Sequence, residues 1–156
     1  MPLSLEDLDL RGWAHTEADQ VVFAISGAWA APGERRIGYV GIMRLVECVR
    51  ELHWARDVVT AAEGAPVDCI TRSLTADFLA PVVIGTRVIG RYRVQLCSRR
   101  SYGLEVTLSS GGQRSELVRA SMVDVFYDPV HERCVAPPAS VAALLRTLTM
   151  RNPTVR

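Results

Sequence analysis

The sequence predicts an α+β domain in which one long helix lies on the face of an antiparallel sheet. A single long run, residues 38–55, carries apolar residues at three- and four-residue spacing, as a half-buried helix does. From residue 67 onward the apolar period becomes two, and turn residues cut this second half into four strand-length pieces. One such helix followed by a run of strands fits the helix-on-sheet layering of an α+β domain.

The length of 156 residues suits one domain, spanning 1–156, with residues 1–18 as an N-terminal arm and 139–156 as a C-terminal helix and tail. Hydrophobic residues make up 49% and charged residues 22%, which is a globular composition. The 18 basic and 17 acidic side chains leave a net charge of +1, so no nucleic-acid or anionic-membrane partner is expected. The start, MPLSLEDLDLRGW, lacks the basic and apolar regions of a signal peptide, and no stretch approaches the roughly 18 apolar residues of a membrane span. A soluble, cytoplasmic protein is expected. Cys48, Cys69, Cys97 and Cys134 are far apart, with no C-x-x-C spacing and no neighbouring histidine, so we expect reduced, mostly buried thiols and no metal.

Each element has its own signal. The first dozen residues read as a loose arm or a short helix. Residues 20–26, QVVFAIS, are β-branched and apolar enough for a strand, which Pro32-Gly33 interrupts. The helix at 38–55 carries Ile42, Leu45, Val46, Val49 and Leu52 as one stripe, and Gly64-Ala65-Pro66 closes the connection after it. Strands are expected at 68–78, 88–96, 104–108 and 117–127, with Ser110-Gly111-Gly112 as the tight turn before the last. A short amphipathic helix, 139–148, follows Pro137-Pro138.

Several segments in this order resemble the hot-dog acyl-thioesterase superfamily, and the 4-hydroxybenzoyl-CoA thioesterase-like proteins in particular. Residues 75–86, TADFLAPVVIGT, resemble that family's turn between its second and third strands, where an aromatic residue is followed by a proline and then a glycine. Residues 97–102, CSRRSY, look like its basic, serine-bearing turn. Residues 120–126, ASMVDVF, look like its last long strand, and 135–138, VAPP, like the proline stop. Residues 38–52, GYVGIMRLVECVREL, stand where its central helix belongs. The likeness covers about residues 20–138. It implies a hot-dog fold, in which a sheet wraps a long central helix, and a homodimer or dimer of dimers with active sites between subunits. It implies no cofactor beyond the coenzyme A or phosphopantetheine of the substrate itself.

Thioester hydrolysis needs a carboxylate to activate water or attack the carbonyl, a donor for the oxyanion and a groove for the carrier arm. The resemblance puts the oxyanion donor at the N-terminus of the central helix, at Tyr39, Val40 and Gly41, with Gly41 open to close approach of a carbonyl. Gly41 read structurally is a glycine that relieves crowding. One branch of the family carries an aspartate in an Asp-x-x-Gly-His-type motif before the helix. The stretch here, APGERRI at 31–37, has neither that aspartate nor the histidine, and its Glu34 reads as a capping or solvent-facing side chain. Another branch uses a glutamate inside the helix, and Glu47 falls there. It lies roughly 140° from the centre of the apolar stripe, beside Arg44 and Glu51, so its competing reading is a solvated face with local ion pairs. A third pattern, of polyketide hot-dog thioesterases such as those serving enediyne synthases, resembles Arg44 and the run Val49-Arg50-Glu51-Leu52. There polar groups position water without a strong base, and Arg44 would be functional.

His53 sits on the apolar side of the helix and reads first as a buried histidine, second as a general base; His15 and His131 read as exposed. Arg99 and Arg100 stand where the family often holds the phosphates of coenzyme A, or else form a solvated hairpin rim. The leading expectation is an acyl-thioester hydrolase acting on acyl-CoA or an acyl carrier protein, in polyketide or other secondary metabolism. A hot-dog dehydratase, isomerase or cyclase and a non-catalytic acyl-binding protein are the alternatives.

Overall fold

The computed structural model describes residues 14–17, 20–112 and 115–151. Strands β1 (Ala14–Glu17) and β2 (Gln20–Ala24) open the chain, and helix α1 (Tyr39–His53) follows. Four long strands come next, β3 (Cys69–Phe78), β4 (Arg87–Cys97), β5 (Ser101–Ser110) and β6 (Glu116–Asp128), then the short β7 (Arg133–Cys134) and helix α2 (Ala139–Arg151). Hydrogen bonding orders them β1-β2-β4-β5-β6-β3, with β7 beside β6, so β3 is an edge of an antiparallel sheet.

The long strands and both helices fall where the period predicts, with longer ends in β4, β5, β6 and α2. The differences have local causes. No proline or glycine interrupts residues 42–63, so the helical run does not stop at 55 but continues as a π-helical stretch, Trp54–Val59. It ends at Gly64, whose φ of +85° supplies the left-handed residue past a helix C-terminus. Residues 14–17, expected within a loose arm, form β1 because they pair with β2, Ala14 opposite Phe23 and Glu17 opposite Gln20. The expectations for residues 1–13 and 152–156 lie outside the described residues.

The chain gathers into two compact units. The first comprises Met1–Leu52, Ala76–Tyr92 and Val106–Ala120. Its core includes Phe23, Ile42, Leu45, Val46, Val49, Val88 and Leu108, all buried. Helix α1 meets the sheet at Gly90, where a Cβ would lie 2.3 Å from Val49 Cγ2 and 3.2 Å from the Phe23 ring, so only glycine fits without displacement. The start of α1 is held by a short backbone pairing: Ile37 N–H donates to Val82 O at 3.0 Å and Ile84 N–H to Arg35 O at 2.9 Å.

The second unit comprises His53–Thr75, Arg93–Glu105 and Ser121–Arg156. Trp54, Val58, Tyr102, Leu104, Phe126, Val141 and Leu145 are buried in it. The Tyr102 and Phe126 rings stand 5.6 Å apart, and Trp54 lies 6.4 Å from Phe126. All four cysteines are free, but only Cys48 is buried. Cys69 and Cys97 are partly exposed and Cys134 is exposed, which corrects the expectation of mostly buried thiols. Cys134 lies in the two-residue strand β7, both of whose residues are exposed.

Candidate active site

The predicted site residues on α1 lie in the first unit. Ile42 N–H donates to Gly38 O at 3.1 Å, the first bond of the helix. The N–H groups of Tyr39, Val40 and Gly41 precede that bond and lie at the positive end of the helix dipole. Tyr39 and Val40 are 70% and 60% exposed. Around Gly41 a Cβ would meet Ile37 at 3.5 Å and Trp29 O at 3.7 Å, ordinary contacts. Packing therefore does not require glycine there.

One turn and a half further on, the helix carries a cluster of three charges. Arg50 Nη1 donates to Glu47 Oε1 at 2.9 Å and to Glu51 Oε1 at 3.1 Å. The arginine and Glu51 side chains are each 11% exposed, whereas Glu47 is 43% exposed. One sheltered guanidinium thus bridges two carboxylates a turn apart, offsets their repulsion and fixes the rotamer of the more open one. Glu47 is therefore both orientated and reachable by water. Arg44, the other predicted catalytic residue, is exposed. Glu47, Glu51 and burial act together on Cys48, whose thiol is pushed up to about 12, first by desolvation and then by the two carboxylates.

In the second unit, Arg99 and Arg100 are exposed at the β4–β5 turn. The turn is pinned by Ser98 N–H donating to Ser101 O at 2.8 Å and by the two serine hydroxyls 2.7 Å apart. His53 is fully buried, with Nδ1 2.9 Å from Asp57 Oδ2 and Nε2 3.2 Å from the Tyr102 hydroxyl. The buried reading of His53 is the one the structure supports. Its Asp57, Tyr102 and Asp124 surroundings were missed by the sequence reading: Asp57 stands one helical turn on, at i+4, but nothing local marks Tyr102 and Asp124, 49 and 22 positions apart from their partners, as neighbours. His131 is exposed and its ring, through Nδ1 2.6 Å from Asp128 Oδ2, holds the Asp128 carboxyl below the usual range.

A cavity of about 550 Å³ in this unit is lined by Pro66, Val67, Phe126, Val135 and Pro138, among others, and holds none of the predicted site residues. Among the described residues no group of three or more His, Cys, Asp or Glu side chains is placed to hold a metal, and no helix is long and apolar enough to cross a membrane.

No protein-family model matches the chain, and no curated protein matches it. Solved structures do. Slr0204, a 1,4-dihydroxy-2-naphthoyl-CoA thioesterase from Synechocystis, superposes with a TM-score of 0.69 at 13% identity, over 83% of this chain and 96% of that one. SAV2348 from Staphylococcus aureus, solved in complex with CoA, gives 0.73 at 10% identity, over 90% of this chain and 89% of its own. A thioesterase from Thermus thermophilus, complexed with coenzyme A and Zn, gives 0.68 at 16% identity, over 85% and 95%. At these identities the likeness speaks for the architecture, and it agrees with the strand order, the helix on the sheet and the segments that carried the resemblance: the chain has the hot-dog fold.

Proposed function

We propose that the chain hydrolyses acyl thioesters of coenzyme A or of an acyl carrier protein, with Glu47 as the carboxylate that activates water. The observation that carries this reading is the state of Glu47: half-exposed, yet pinned through Oε1 by the sheltered Arg50. A carboxylate so held can take a proton from water without first paying to be orientated. The water oxygen attacks the thioester carbonyl and its proton passes to Glu47. The oxyanion is received by backbone N–H groups at the start of α1, with Gly41 as the donor that a carbonyl can approach most closely. The C–S bond then breaks, and the thiolate leaves as the free thiol after taking up the proton.

The known coenzyme A complexes of similar structures favour coenzyme A as a carrier. Arg99 and Arg100 are the groups proposed to meet its phosphates. The texture of Arg44 and residues 49–52 favours an acyl group from polyketide or other secondary metabolism. Arg44 assists as a solvent-side cation near the carboxylate pair. The proposed assembly is a homodimer.

The test is turnover against a panel of acyl-CoA and acyl-carrier-protein substrates, read as free thiol released and product mass gaining one water. Glu47→Gln should lower kcat by about 100-fold or more with the fold intact. A folded wild type inert to the whole panel overturns the hydrolase reading. Full activity in Glu47→Gln overturns only the role of Glu47.

A further inference from the structure

The cavity of about 550 Å³ in the second unit has no part in the proposed hydrolysis. Its volume falls within the range of about 300–1,000 Å³ typical of small-molecule sites. Its walls come from residues 66–68, the end of β6, the β6–β7 turn and the segment between β7 and α2. No residue of β3 itself lines it, so the site does not depend on a bare sheet edge. Pro66, Pro129, Pro137 and Pro138 stiffen the wall, because each fixes its own φ. The turn is held from within. Asp128 Oδ1 accepts from the Val130 N–H at 2.9 Å and the His131 N–H at 3.2 Å, and its Oδ2 lies 2.6 Å from His131 Nδ1. Walls so fixed lose little freedom when a ligand enters.

The walls are largely apolar and poor in hydrogen-bond donors. Prolines have no N–H to give. The N–H groups of Tyr127 and Val135 are spent on Asp68 O and Phe126 O, each at 3.0 Å, and that of Phe126 on Arg100 O at 2.9 Å. Val130 and His131 spend theirs on Asp128. No lysine or arginine lines the cavity. Acceptors are better supplied. Among the described residues the exposed Asp68 carboxylate receives one N–H, from Cys69 to Oδ1 at 2.8 Å, which leaves Oδ2 open. His131 is matched to Asp128, so Asp68 is the carboxylate that no cation of the wall answers. A ligand complementary to these walls brings the donors and the positive charge itself.

We propose that this cavity binds a small primary amine with an apolar body, its ammonium group at Asp68 and its body against Val67, Val135 and the prolines. The ammonium supplies three donors and one positive charge, which is what the walls lack. A neutral ligand of the same shape gains the apolar contact and leaves Asp68 Oδ2 to water. An anionic ligand meets the Asp68 and Asp128 carboxylates and is repelled. The phosphates of a carrier, assigned above to Arg99 and Arg100, are excluded from this cavity for the same reason. The site is independent of the reaction assigned to Glu47.

The experiment titrates the ¹⁵N-labelled full chain, in its native oligomeric state and at constant ionic strength, with three probes that share an indole ring. Tryptamine carries the ammonium group, tryptophol a neutral hydroxyl and indole-3-propionate a carboxylate. Tryptamine should shift the amides of Val67, Val130 and Val135 saturably and bind about tenfold more tightly than tryptophol. Indole-3-propionate should bind more weakly than either. Asp68→Asn keeps the side chain's size and its acceptor for the Cys69 N–H, and removes the charge. It should weaken tryptamine by about tenfold and leave tryptophol unchanged. No saturable shift at millimolar tryptamine, shifts centred on other residues, equal affinity for the three probes, or unaltered tryptamine affinity in Asp68→Asn overturns the proposal.

Discussion

Gly90 lies where α1 packs on the sheet with no room for a side chain. A Cβ there would sit 2.3 Å from Val49 Cγ2 and 3.3 Å from Leu108 Cδ2, inside van der Waals contact on both sides. Gly90→Ala should therefore destabilise the protein by about 1–3 kcal/mol, read as a lower urea midpoint. Trimming the opposing side chain in Gly90→Ala/Val49→Ala should return part of that loss relative to the sum of the single variants. Cys48 gives a second test at this scale. Its thiol, buried and pushed up to about 12, stays protonated at neutral and mildly alkaline pH, since a raised value moves thiolate formation to higher pH. Native protein treated with iodoacetamide near neutral pH should be alkylated at the exposed Cys134 and spared at Cys48, by peptide mass spectrometry. The same shift means that the folded state loses stability as pH rises from 9.0 towards about 12, where only the unfolded chain ionises freely.

The elements differ in how plainly their sequences declare them. Helix α1 is legible because Ile42, Leu45, Val46 and Val49 repeat at helical spacing and are all buried. Strands β4 and β5 are legible because Val88, Val94, Leu104, Val106 and Leu108 alternate with partly exposed neighbours. β1 and β7 are only four and two residues long, and their conformation comes from the strand beside them. Glu47 was legible as a candidate from its place on the helix, but its anchoring was not: the wheel puts Arg50 at the margin of the stripe, and only packing shows it sheltered. The turn Ser98–Ser101 shows how an element sets up chemistry. Its backbone and hydroxyl bonds hold the backbone that carries Arg99 and Arg100 at an exposed rim. Arg99→Ala/Arg100→Ala should raise KM for an acyl-CoA by about tenfold with kcat little changed. A truncated acyl-pantetheine lacking the nucleotide phosphates should show no such change, and equal effects on both substrates would remove the phosphate role.

At the scale of the whole molecule, the proposed site asks for more than one chain. Gly41 and Glu47 are six residues apart, which is about 9 Å along the helix axis and about 120° around it. A carbonyl bound at the Gly41 N–H cannot then receive water from Glu47 of the same helix. If both groups act on one thioester, they come from different copies. In the proposed homodimer the edge strand β3 is where two copies would meet. It presents Ile70, Leu74 and Phe78 at 47%, 45% and 50% exposure along the edge of the sheet, a surface that pairing with a second β3 would cover. Two damaged variants then become informative together. Gly41→Pro removes the donor N–H in the first helical turn, where proline is tolerated, and Glu47→Gln removes the base. Each alone should be nearly inactive. Mixed, unfolded and refolded together, they should form hybrid dimers in which one of the two sites has both an intact Gly41 and an intact Glu47. About a quarter of wild-type activity should return, since random pairing makes half the dimers hybrid and half their sites whole. Light scattering should report a dimer, and Ile70→Glu/Leu74→Glu should give a monomer that is folded but inactive. Hybrid mixtures that stay inactive while dimers form would place both groups within one chain's own site, which the spacing of about 9 Å opposes, or would remove one of them from the chemistry.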